Sequence, residues 1–140
     1  MIAKEKTTLP FIPTDITVNE DEFGYNWFDE DGIYVSCSKP NAPGPDLKAL
    51  KESEQKWLKS HGDKKICWLC HINEIQPSPK EVRDYMAEIL PKYIKALAMV
   101  SKSPLGRMAA NIFFRIKSQP YPVKMFPDQD TAKTWLRQYL

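Results

Sequence analysis

The 140-residue sequence predicts an α/β domain with a mixed, largely parallel five-stranded sheet, four main helices and an N-terminal antiparallel hairpin. Three observations predict it. Two short runs, Lys65–Ile72 and Ala96–Val100, are almost continuously apolar and bounded by polar residues, as strands buried on both faces are. Each is followed by a Ser-Pro pair, Ser78-Pro79 and Ser103-Pro104, of the kind that opens a helix. Asp29-Glu30-Asp31-Gly32 separates two runs rich in aromatic and β-branched residues, which is a hairpin signal. Strands that alternate with helices need crossover connections, so neighbouring strands run parallel.

The elements follow in chain order. Residues 1–15 carry Pro10 and Pro13 without a hydrophobic period and read as a flexible arm, and residues 16–140 read as one domain. Tyr25–Phe28 and Ile33–Cys37 form the hairpin, with Gly32 supplying the positive φ of its turn. Pro40, Pro43, Gly44 and Pro45 make a loop. Asp46 caps a helix with the stripe Leu47, Leu50, Trp57 and Leu58, which stops at Gly62. After the first buried strand, Ser78 caps the next helix, Pro79 takes its first helical position and Glu81 closes the capping box. Val82, Tyr85, Met86 and Ile89 are its inward stripe, and Pro91 breaks it. The helix from Ser103-Pro104 turns Leu105, Met108, Ala109, Ile112, Phe113 and Ile116 inward at i, i+3, i+4 spacing. Pro122–Phe126 is a last strand, and Asp128 opens a final helix with Ala132, Trp135, Leu136 and Tyr139 inward.

Composition narrows the class. Hydrophobic and charged fractions of 42% and 27% are those of a globular chain. No apolar run reaches the roughly 20 residues of a membrane-spanning helix. The N-terminus lacks a signal-peptide core, so a cytoplasmic protein is expected. Three cysteines, an odd number, fit a reducing compartment. The net charge of +2 conceals an asymmetry: seven acids and no Lys or Arg between Asp15 and Asp31, seven bases and no acid from Lys92 to Lys124. The bases are dispersed and not interleaved with exposed aromatics, so a solvated face is read in preference to a nucleic-acid surface.

Chemistry-bearing motifs are few. Cys67-Trp68-Leu69-Cys70-His71 has the letters of a haem-attachment or thiol-redox motif. A redox pair needs a helix N-terminus, whereas residues three apart on a strand face opposite ways. Buried structural cysteines are therefore the preferred reading, with a thiol oxidoreductase using Cys67 and Cys70 as the enzymatic rival. A zinc site would need Cys37 or His61 from elsewhere, without ligand spacing, so no metal and no cofactor is expected. His61 and His71 are the only imidazoles, and no catalytic signature accompanies them, so no catalytic residue is assigned. Ligands of open α/β sheets gather at the carboxyl ends of parallel strands. Ser101, Lys102, Ser103 and Arg107 fall there, at a helix start that favours anions. Phe114 lies opposite Leu105 on the same helix, with Arg107 and Ala110 near it, and this trio forms a candidate protein interface.

The stretch from Ala98 to Arg107 (AMVSKSPLGR), then Pro122–Phe126 and Ala132-Lys133-Thr134-Trp135-Leu136, resembles the C-terminal half of SpoIIAA-like (STAS-type) domains. The hairpin at Asp31-Gly32-Ile33 and the helix start from Ser78 to Arg83 agree, so the resemblance covers roughly residues 24–140. It implies a mixed sheet with helices and a regulatory or ligand-binding role, with lipid-binding CRAL-TRIO domains as distant structural cousins. By order of elements it also makes Ser78 a possible phosphoacceptor. Here Gln76-Pro77-Ser78-Pro79 stands where the family carries an Asp-Ser-Ser-Gly-like loop, and capping already occupies Ser78. The expectation is a non-enzymatic regulatory or interaction module with a protein partner or second copy, no nucleic acid and no membrane span. The alternative is capture of a small lipid or anionic metabolite between helices and sheet.

Overall fold

The computed structural model describes residues 13, 15–21, 24–38, 46–62, 64–72, 79–105, 107–108, 111 and 119–140. Its strands are β1 (Asn19–Glu20), β2 (Gly24–Phe28), β3 (Tyr34–Ser38), β4 (Ile66–His71), β5 (Ile94–Val100) and β6 (Val123–Phe126). Three helices are delimited: α1 (Leu47–His61), α2 (Lys80–Tyr93) and α3 (Gln129–Leu136), the last followed by a 3₁₀ turn, Arg137–Tyr139. Pro104, Leu105, Arg107, Met108 and Asn111 are also helical, at the place of the remaining expected helix.

The six strands stand in the sheet in chain order. β1, β2 and β3 pair antiparallel, and β3 through β6 pair parallel. Six strands therefore replace the five expected. The extra one is β1, two residues inside the acidic stretch with no apolar alternation to betray it; its Asn19 and Glu20 pair with Asn26 and Tyr25. At the other edge, β6 is short and carries exposed Lys124, which discourages further strand addition.

Alternation along β4 sorts the core into two layers. Cys67, Leu69 and His71 face one way, with Val35, Ala96, Ala98, Val100 and Phe126, and are covered by Ala132 and Leu136 of α3. Ile16 and Val18, just after the expected arm, pack on this layer. Ile66, Trp68 and Tyr34 face the other way, toward Leu50 and Trp57 of α1 and Ile89 and Tyr93 of α2. Ala96 and Ala98 bring no bulk beneath α3, so the helix approaches β4 and β5 closely.

The hairpin turn is built on Asp29. Its backbone N–H donates to Ile33 O (3.0 Å), and Gly32 N–H donates to Asp29 O (3.1 Å). Gly32 has φ 82°, the left-handed conformation that closes a three-residue hairpin loop. Asp29 Oδ1 accepts from the amides of Asp31 and Ile33, each at 2.9 Å. Its other oxygen, Oδ2, meets the Lys133 ammonium of α3 at 2.9 Å, and the two side chains are 2% and 14% exposed. The turn is thereby pinned to the far end of the chain.

Four helix details depart from expectation. Leu58 of α1 is exposed, and the half-buried stripe is Leu47, Leu50, Glu54, Trp57 and His61. Glu54 turns inward because it accepts from two phenols, Tyr85 and Tyr93 (2.7 Å for Tyr93), which ties α1 to α2. Pro79 is the N-cap of α2 and not its first helical residue. Pro91 does not break α2; it lies in the last turn, where little ladder follows it, and Ile94 N–H closes that turn on Leu90 O. The most consequential departure concerns Leu105 and Met108, expected inward but 76% and 56% exposed.

Candidate functional site

The carboxyl ends of β5 and β6 meet at Ser101, whose N–H donates to Phe126 O (3.1 Å). Ser103 N–H donates to Ser101 Oγ (3.3 Å), and Ser103 O accepts from Arg107 N–H (3.0 Å), which starts the helix. The Arg107 guanidinium folds back and donates through Nη1 to Ser101 O (2.7 Å). One turn on, Asn111 Oδ1 accepts from Met125 N–H (3.2 Å). Ser101, Ser103 and Arg107 are thus brought together, with Lys102 exposed beside them. Arg107 braces the strand end and is half-buried there. Helical periodicity identifies which residues share a face. The backbone partners of Arg107 and Asn111 decide which face turns to the sheet, and Leu105 and Met108 are left in solvent. Phe114, Ala110 and Ser78 lie outside the described residues.

The cysteines are separated as strand parity requires. Cys67 Sγ reaches the Leu136 carbonyl (3.9 Å) on the α3 side. Cys70 bonds the Ser36 hydroxyl on the other side. None of the three cysteines forms a disulfide. Burial is the main cause that pushes all three thiols up, Cys37 to about 11, so they stay protonated at neutral pH.

His71 is buried on the α3 side, with Nε2 2.8 Å from Gln129 Oε1. Burial lowers its pKa from the ordinary 6.5, the Lys133 charge adds to the depression, and the Gln129 bond opposes it. Between the folded and unfolded values the unfolded chain binds more protons. Stability is therefore complete above about pH 6.5 and falls as pH drops through the folded value. We expect the urea midpoint to fall further between pH 7.5 and 5.5 in the parent than in His71→Gln; equal falls would contradict a buried neutral imidazole.

Acidic Asp29, Glu30 and Asp31 cluster at the hairpin, with carboxylate oxygens within 4.8 Å of one another. Asp29 is committed to the turn and Lys133, and Asp31 pairs with Arg137 Nε at 3.1 Å. The cluster is read as structural.

Among the described residues two concavities matter. Between the helices and the sheet, where a lipid would have been sought, an apolar hollow edged by Trp57, Trp68 and Tyr93 holds only about 180 Å³. Ligand pockets usually run from about 300 Å³ upward. At the opposite end of the sheet from Ser101, where β4 and β5 begin, an open cleft holds about 440 Å³. Lys64, Lys65 and Lys95 rim it; Phe28, Ile66 and Leu140 supply apolar walls, and His61 and Cys67 complete the lining. Sequence reading missed this site. Lys64-Lys65 ahead of a buried strand is its one visible trace in the sequence, and the strand-end rule points to the other end of the sheet.

No helix among the described residues is long and apolar enough to cross a membrane. The model of a domain of unknown function, DUF7793, matches residues 26–140. No curated protein matches the chain. Among solved structures, an uncharacterized DUF3478-family protein from Shewanella loihica PV-4 with a SpoIIAA-like fold is 16% identical. It aligns with a TM-score of 0.51 over 86% of this chain and 91% of that one. A protein of unknown function from Arthrobacter sp. FB24 is 23% identical over 86% of this chain and 97% of that one, with a TM-score of 0.28. The first likeness bears out the fold that the sequence resemblance implied. The chain, on this SpoIIAA-like α/β fold, belongs to the DUF7793 family.

Proposed function

We propose that the domain is a non-enzymatic regulatory or protein-interaction module that docks a partner at the carboxyl-end edge of its sheet. The observation that carries this reading is the exposure of Leu105 and Met108 beside exposed Lys102. Covering a leucine or methionine side chain contributes about 1.5–3 kcal/mol. Among the described residues of the same helix, Arg107 and Asn111 turn to the strand ends through polar contacts, and the gain from covering Leu105 and Met108 is left for a partner. The run from Lys92 to Lys124 has no acid, which suits a partner segment that sets apolar side chains among carboxylates. Protonated thiols and a hydrogen-bonded His71 support binding over catalysis.

A photo-crosslinking residue placed at Leu105 tests the reading in cells, with the same residue at Lys48 on exposed α1 surface as control. Position 105 is expected to give a discrete protein adduct that Met108→Glu with Lys102→Glu suppresses, and position 48 none. A second copy of the chain as the adduct would make the module a homodimer. No adduct at 105, or one indifferent to those substitutions, would remove the docking edge.

A further inference from the structure

We infer that the cleft at the amino ends of β4 and β5 is a binding site for a small amphiphilic anion, a carboxylate or phosphate head on a short hydrocarbon body. The site stands apart from the proposed docking edge and does not rest on it. Four observations converge. At about 440 Å³ the cleft is within the ordinary range for small-molecule sites. Among the described residues its lining holds three lysines and no acidic side chain, and no described acidic side chain pairs with Lys64, Lys65 or Lys95. Ammonium groups that gather at one rim repel one another, and an anion relieves that repulsion.

The third observation is backbone geometry. Ile66 pairs with Ile94 and Cys67 with Ala96, so Lys95 is the extra residue of a β-bulge and has no partner on β4. A bulge re-aims a side chain and is a recurrent device beside binding sites. Lys95 is exposed between buried Ile94 and Ala96, and its charge is felt at the Cys67 thiol in the cleft lining. The fourth is the wall. His61 stacks on Trp57 with ring centroids 4.1 Å apart and lies 5.2 Å from the Phe28 ring. Its Nδ1 is shielded from water and has no hydrogen-bond partner. A cationic rim over aromatic and aliphatic walls recognises a head and a body together; inorganic phosphate would use only the rim and a neutral alcohol only the walls.

Calorimetric titration of the full chain with decanoate tests this, against decanol, inorganic phosphate and phosphatidylglycerol vesicles. Decanoate is expected to saturate one site, with Lys95→Met and Lys65→Met each weakening it about tenfold, the scale of one charge-assisted contact. Lys48→Met should leave it unchanged, and decanol and phosphate should bind at least about tenfold more weakly. Both lysines are exposed, and unchanged thermal melting of the variants confirms that they fold. Decanoate binding indifferent to both lysines, or equalled by decanol or by phosphate, overturns the inference. So does lysine-dependent binding to vesicles without binding of decanoate, since a surface and not a cleft would then be read.

Discussion

Lys133→Met is expected to lower stability by about 3–5 kcal/mol, because it leaves the Asp29 carboxylate buried without its counter-charge. The native state of a domain this size is stable by only about 5–15 kcal/mol, so the loss is a large share of the whole. Its size follows from position. Asp29 Oδ1 is fully used by the amides of Asp31 and Ile33, and the Lys133 ammonium is the group that compensates Oδ2. Water cannot substitute readily at a side chain only 2% exposed. Urea unfolding followed by tryptophan fluorescence gives the number. The double variant Asp29→Asn, Lys133→Met should recover much of the loss, since asparagine keeps the acceptor for the two amides and carries no charge. A loss below about 1 kcal/mol in the single variant would mean that the pair behaves as a surface salt bridge.

Leu69→Ala is expected to cost about 3–5 kcal/mol, at the upper end for leucine truncation. Leu69 is wholly buried, and its register neighbours are Val35 on β3 and Ala98 on β5, with Leu136 of α3 in the same cluster. Ala98 cannot expand to fill the void, and the strand is hydrogen-bonded on both sides, so little relaxation is available. Leu69→Met, which nearly conserves volume, should cost less than about 1.5 kcal/mol. Comparable losses in the two variants, read from urea midpoints at equal m-values, would deny that a cavity is responsible.

Much of the fold was legible because local rules and tertiary packing agree there. Gly32 takes the positive φ its hairpin required, Asp46 and Asp128 cap their helices through side-chain bonds to Ala49 and Thr131, and β4 is an interior strand with its cysteines on opposite faces. In each case a backbone need or a strict period of two leaves one answer. β1 was not legible, since two polar residues carry no pattern and pair only because β2 offers an edge.

The candidate sites divide in the same way. Sequence by itself determined the element types, the SpoIIAA-like order, the parity of Cys67 and Cys70, and the cluster of Ser101, Ser103 and Arg107 at a strand end. Only the tertiary structure decided the rest. It turned Leu105 and Met108 outward, joined Asp29 to Lys133 across the chain, and set Lys95 on a bulge beside Lys64 and Lys65. Periodicity determines which residues share a face, but not which face a neighbouring element will cover, nor which distant charges will meet once it does.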